Sequence, residues 1–242
     1  GSGADARALC GGTLPAPSAA FFNAFSIHCL EWDAVHEPAV VHALSVVTAA
    51  LLAASDRRGG SPPEHFLAAL AVGVDIASGI GCSAQGAMRF FRPATAGIIG
   101  ATLAVARLEG LDRNSMANAA GLAYSFLSGT VQAHVEASTA LPLQIANAAR
   151  GAICAVDLAS AGIDGPHDIL DGPFGYGALI EPLALDSYVA SLGNRWRISE
   201  VSIKPYPSGR ASHGALGALA DMRAEGLVSA DTVDSIELLA PP

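Results

Sequence analysis

The chain has 242 residues, 51% of them hydrophobic and only 14% charged, with a formal net charge of -9 at pH 7. That length supplies one large domain or two smaller ones with a sizeable core, and the acidic balance argues against nucleic acid and anionic membrane as partners. So few charged groups cannot cover a monomer, so a large apolar face is expected to be buried against another copy of the chain or another domain.

Gly1-Ser2 reads as an expression scar, and residues 1–16, rich in Gly, Ala and Pro, as an irregular entry. From Ser18 to near residue 190 the pattern is helical. Residues 21–35 are read as the first helix, on which His28, Glu31 and Asp33 or His36 fall three to five positions apart and converge on one volume. Pro38 breaks it near His36 and Glu37, leaving His36 and His42 on either side of the break. Residues 40–54 form an almost wholly apolar helix, ended by Asp56-Arg-Arg-Gly-Gly-Ser-Pro-Pro.

A helix then starts at Pro62-Pro63-Glu64 and runs through Ile80, with proline in the first turn. Arg89-Phe-Phe-Arg92-Pro93 is a second break. Residues 95–108 are rich in Ala and Gly and suit close packing, and Glu109-Gly110-Leu111-Asp112 stops that helix and caps the next, 113–128. A polar gap over 129–139 holds His134 and Glu136, and 142–161 is a further apolar helix closed at Gly162-Ile-Asp-Gly165-Pro166.

The texture changes near residue 193. Residues 196–203 alternate apolar and polar side chains as a half-buried strand does, 212–225 reads as a helix and 232–239 as a second strand. The expected class is mainly α: a large all-helical domain over 1–190, followed over 191–242 by part of a small α/β lid domain. Cys10, Cys29, Cys82 and Cys154 are scattered with no CxxC pair, which suggests buried, reduced thiols in a cytoplasmic protein rather than zinc or disulfides. No uninterrupted apolar window of transmembrane length is expected.

Two polar constellations stand out. The first, between His28 and His42, concentrates imidazoles and carboxylates able to move protons near neutral pH, and a solvated face or a helix cap is the structural alternative. The second, Lys204-Pro-Tyr206-Pro-Ser208-Gly-Arg210-Ala-Ser212-His213, sets a lysine, hydroxyls and a histidine at a helix N-terminus and suits a carboxylate. Gly172-Pro-Phe-Gly175-Tyr-Gly177 follows no strand and is no nucleotide loop. His65 and His167 read as surface and turn residues, and neither a Gly-x-Ser-x-Gly elbow nor a His-Glu-x-x-His pair is present.

Four stretches in order resemble the MmgE/PrpD family: Asn23-Ala-Phe-Ser-Ile-His28-x-x-Glu31-Trp-Asp33; Arg89-Phe-Phe-Arg92-Pro-Ala-Thr-Ala-Gly97; Ala161-Gly162-x-x-Gly165-Pro166 with Gly172-x-x-Gly175; and Lys204-x-Tyr206-Pro207-Ser208 with His213. The resemblance implies a helical domain plus an α/β lid, a metal-free and cofactor-free cleft between them, a homodimer, and small di- or tricarboxylates as substrates. It places Glu31 and Asp33 at the family's acidic positions, His42 near the histidine that follows them, and Lys204 at the lid lysine. Phe91 and Leu141 stand where the family keeps a histidine and a lysine, and Ala34 where it keeps an aspartate. The family pattern also implies residues ahead of the first matched stretch and most of a lid, neither of which is in this sequence.

The expected function is a lyase or isomerase that abstracts a proton next to the carboxylate of a small organic acid carrying less charge than a tricarboxylate. Its catalytic residues would be Glu31, Asp33, His36, His42 and His213, with Lys204, Arg92, Tyr206 and Ser208 binding the substrate. The alternative is a non-catalytic relative that keeps the scaffold for ligand binding or dimerisation.

Overall fold

A computed structural model describes residues 4–239; Gly1-Ser2, Gly3 and the closing residues 240–242 lie outside it. A two-stranded antiparallel ribbon, β1 (Ala6–Arg7) with β2 (Thr13–Leu14), opens the chain. Five long helices then make the body: α1 (Ala16–His28), α2 (Ala43–Arg57), α3 (Pro63–Ser83), α4 (Arg92–Leu108) and α5 (Arg113–Ser125). The short α6 (Gln132–Val135) leads into a sixth long helix, α7 (Leu141–Ser160), and α8 (Tyr176–Leu179), α9 (Asp186–Ser191) and α10 (His213–Ala224) follow.

Proline in the first turn starts α1, α3, α4 and α7, where the missing N–H has no helical acceptor to lose. The carboxylate of Asp112 caps α5, accepting from the Ser115 N–H at 2.7 Å. Helix α4 is the axis of the bundle: 14 of its 17 residues are buried, against α2, α3, α5 and α7. Small residues permit this. A Cβ on Gly100 would stand 2.3 Å from the Gly73 carbonyl oxygen, so α3 and α4 touch backbone to backbone.

Helix α3 is long and apolar enough, at 21 residues and a mean hydropathy of 1.7, to cross a membrane, contrary to the expectation that no such stretch exists. Its position is that of a bundle helix, packed on α2 and α4, with the carboxylate in its middle, Asp75, buried against Arg197.

Four sequence expectations are corrected. The first helix ends at His28 instead of reaching residue 35. On a helix a residue five positions on lies roughly 140° away around the axis, so Asp33 could not have faced His28. A left-handed turn at Glu31 (φ 54°) brings it there.

The strand expected over 196–203 is a 3-10 turn, Arg197–Glu200, followed by a single antiparallel bridge between Ser202 and Val35. Alternation alone does not make a strand without neighbours to pair with, and Arg197 turns inward to Asp75. Residues 232–239 form no strand among the described residues, and Ile236, Leu238 and Leu239 are exposed. Cys10, Cys29 and Cys82 are exposed and Cys154 is half-buried, because the first three sit at the ends of elements instead of in the core.

Candidate active site

The loop between α1 and α2 carries the first constellation, and its shape depends on two non-glycine residues in the left-handed region, Glu31 (φ 54°) and Val40 (φ 52°). A β-branched residue there is a backbone outlier, and such outliers concentrate at functional sites. At the centre is Asp33, buried. Its Oδ2 accepts from Nδ1 of His28 at 2.8 Å, lies 3.2 Å from Nδ1 of His42, and takes the Ser45 hydroxyl. Burial pushes the Asp33 carboxyl up, but the two imidazole N–H groups outweigh it and hold the pKa well below the usual carboxylate range. His42 Nδ1 also faces the Ala34 carbonyl at 3.2 Å. Both imidazoles thus spend Nδ1–H on oxygen, which leaves Nε2 as the basic nitrogen of each.

The second constellation closes onto this group. Lys204, the only lysine in the chain, is buried and donates to the Glu31 carboxylate at 3.0 Å, the Glu31 carbonyl at 2.9 Å and Asp33 Oδ1 at 3.4 Å. The Trp32 indole N–H grips the Lys204 carbonyl at 3.0 Å, so the pairing is anchored at both ends. The rings of His28 and His42 lie 4.9 Å apart and that of Phe91 lies 6.2 Å from His28.

Two adjoining cavities border the cluster. One, of about 500 Å³, is lined by His28, Glu31, His134 and Leu141 among others. The second, of about 220 Å³, is lined by Glu31, His42, Phe91, His134, Leu141 and Arg210 among others. They share Glu31, His134, Leu141 and Gly209 and form one hollow between the α1–α2 loop, the 129–139 segment and the turn before α10. The Nε2 of His28 is buried without a hydrogen-bond partner, 3.4 Å from Glu31 Oε1.

Glu31, Asp33, His42 and Lys204 therefore come together as expected, and the remaining predicted residues do not join them. Arg92 is spent inside the core: its guanidinium makes two 2.8 Å bonds to Glu181 and a third, 3.0 Å, to the Ala39 carbonyl, so it has no charge to offer a ligand. His36 accepts from the Ala39 N–H and stands 3.3 Å from Glu200. His213 is buried at the start of α10, with Nε2 3.3 Å from the Ser208 carbonyl and its ring edge-on to Tyr206 at 5.6 Å. Ser208 pairs with Ser212 at 2.8 Å.

The sequence reading missed His134 and Arg210 as lining residues. The polar gap around His134 was the available signal; nothing in the spacing says that α6 folds back over the α1–α2 loop. Backbone bonds explain it, joining Phe91 N–H to the Gly129 carbonyl (3.0 Å) and Val131 N–H to the Arg89 carbonyl (3.1 Å).

His28, Asp33 and His42 place three potential ligand atoms within 4.8 Å of one another. The residues do not fit a resident cation. Asp33 already receives the Lys204 ammonium on one oxygen and two imidazoles and a hydroxyl on the other, and a metal would have to displace donors and sit beside a fixed positive charge.

Fold and site together define a mainly helical domain whose first inter-helix loop holds a carboxylate–imidazole cluster, closed by a lysine from a following segment. Residues 3–183 match the MmgE/PrpD N-terminal domain, and the chain belongs to that family. It is 30% identical to human cis-aconitate decarboxylase over 220 residues, covering 87% of this chain and 45% of the relative. It is 28% identical to the mouse cis-aconitate decarboxylase over 248 residues, 94% of this chain and 49% of the relative. A cis-aconitate decarboxylase-like protein of Aspergillus oryzae is 26% identical over 222 residues, 84% and 45% of the respective chains. The chain spans about half the length of these curated relatives.

Proposed function

We propose that this chain carries the helical part of a metal-independent lyase or isomerase that removes a proton from the carbon next to the carboxylate of a small organic acid. The observation that supports it best is the Asp33 cluster at the edge of the hollow. His42, oriented through Nδ1, offers Nε2 as base, and His134 lies on the facing segment. Abstraction leaves an enolate, which needs nearby positive charge to lower its barrier. Lys204 behind the cluster and Arg210 on the hollow's wall are the cations in position to supply it. Return of the proton to the opposite face gives epimerisation, and loss of a β-hydroxyl gives dehydration. The relatives are named for decarboxylation of cis-aconitate, in which the carbanion left by CO2 also takes up a proton.

Incubation in deuterated water with a panel of small carboxylates, followed by NMR, tests the reading: deuterium should enter at the carbon next to the carboxylate. A ligand that binds without exchange would support the second reading, a non-catalytic binding relative, which the apolar Phe91 and Leu141 at the family's basic positions favour. We also propose that residues 191–242 begin a lid domain. The exposed Leu30, Trp32 and Ile203 beside Lys204 support a covering homodimer partner, which sedimentation would detect.

A further inference from the structure

We propose that Cys82 is a peroxide-reactive thiol, activated by His36 and Glu200 at a place separate from the hollow. None of the three lines either cavity there, and the proton-transfer reading does not use them. Cys82 is exposed in the last turn of α3. An isolated cysteine carries little thiolate near neutral pH, so the groups around the sulfur decide how fast it reacts.

The first of these groups is His36, whose Nδ1 stands 4.0 Å from the Cys82 Sγ. That nitrogen is the unprotonated one. The Ala39 N–H donates to it at 3.3 Å, while Nε2 faces the Glu200 carboxylate at 3.3 Å and spends its proton there. At that length the Ala39 bond is weak, and the Nδ1 lone pair stays available to the thiol proton. Nucleophile, base and orienting carboxylate therefore stand in sequence, the arrangement that activates a thiol. Glu200 is itself fixed, because Arg195 donates to both its oxygens, at 2.5 and 2.8 Å, and holds its pKa down at about 2.

The second group is Arg197, with a side chain 4% exposed. Its Nη1 binds Asp75 at 3.2 Å and its Nη2 the Ser191 hydroxyl at 2.9 Å, whereas Nε is buried with no acceptor among the described residues. Partial burial of the sulfur pushes the Cys82 thiol up, and hydrogen bonding and charge from Arg197, then the charge of Arg195, pull against it. The resting thiol is thus protonated, with a base on one side and guanidinium groups on the other.

These neighbours suit a hydroperoxide, a small oxidant whose leaving group is an oxyanion. His36 Nδ1 takes the thiol proton and the sulfur attacks the terminal peroxide oxygen. The S–O bond forms as the O–O bond breaks, so the sulfur is oxidised to a sulfenic acid and the peroxide is reduced. The departing hydroxide or alkoxide takes the proton back from His36 and leaves as water or alcohol. The two arginines favour both the attacking thiolate and the departing oxyanion. The new sulfenic oxygen also offers the Arg197 Nε–H an acceptor.

The test exposes the intact chain to dilute hydrogen peroxide near neutral pH, with dimedone present to trap sulfenic acid, and follows each cysteine by peptide mass spectrometry. Cys10 and Cys29 are exposed as well and serve as internal references. Cys82 should be labelled at least about tenfold faster than either, short of the ~10²-fold that a well-placed base contributes. Glu200→Gln keeps the size of a partly exposed side chain but removes the charge that orients His36, and should slow Cys82 by about the same factor while leaving the Cys10 rate unchanged. Labelling of Cys82 no faster than of Cys10 or Cys29, or a Cys82 rate that Glu200→Gln does not move, overturns the proposal. So does fast alkylation of Cys82 by iodoacetamide without fast oxidation, which would make peroxide the wrong class of reactant.

Discussion

Asp33 decides which nitrogen of each neighbouring imidazole is basic, so the chemistry assigned to His42 depends on one buried carboxylate that lines neither cavity. His42 lines the smaller cavity with its side chain 12% exposed, whereas His28 is fully buried. His42→Gln should cut proton exchange by about 100-fold or more while moving the melting temperature little, because general-base catalysis contributes ~10²–10⁴-fold. Exchange that survives this change would transfer the base role to His134. The residues of this cluster were legible in the sequence by their density, but the reason given for their meeting was wrong. A helical face was expected, and a loop with two left-handed residues does the work, a conformation that Glu31 and Val40 do not advertise. His36 and Arg92 were equally visible as charged residues. Only three-dimensional pairing, with Glu200 and Glu181, shows that they are engaged elsewhere.

At the scale of elements, the site is held by helices that approach more closely than any side chain would allow. Gly100→Ala should destabilise the chain by about 1–3 kcal/mol, the usual cost of overpacking, since the new methyl would meet the Gly73 carbonyl at 2.3 Å and α4 would have to move. Urea unfolding measures it, and an unchanged midpoint would mean that the α3–α4 crossing is looser than described. The segment that delivers Lys204 is fastened differently. Arg197 lies over the Tyr188 ring at 4.6 Å and binds Asp75 of α3 through its backbone N–H (3.0 Å) and guanidinium (3.2 Å). Asp75→Ala leaves a buried, unpaired guanidinium and should cost about 3–5 kcal/mol, and adding Arg197→Met should recover part of it. A double variant no more stable than the single one would show that the strut works through shape and not through charge. The helices of this body were legible within a few residues, from proline starts, the Asp112 cap and glycine stops. The two strands were not, because alternation records which faces are buried but not whether a partner strand exists.

For the whole molecule, the acidic composition and the paired carboxylates pull in opposite directions as pH falls. The net charge of -9 shrinks toward zero near the pI of about 5.1, which relieves self-repulsion. Below that point the paired carboxylates decide. Hydrogen bonds from the imidazoles hold Asp33 below its ordinary range after burial is offset, Arg210 does the same for Glu37, Arg7 for Asp56, and Arg195 lowers Glu200 to about 2. A carboxylate whose pKa is depressed in the folded chain contributes stability that is complete above its unfolded value, about 3.9 for Asp and 4.3 for Glu, and is lost as pH drops toward the folded value. The urea midpoint should therefore hold down to about pH 5 and fall steeply between about pH 4 and pH 2. Asp33→Asn isolates the central group. It should be less stable than the parent at pH 7, and the gap should narrow below pH 4 because the parent is then losing an interaction the variant never had. A gap that stays constant to pH 2 would mean that Asp33 stabilises the fold through packing, and the reading of it as the ionised hub of the site would fall with that result.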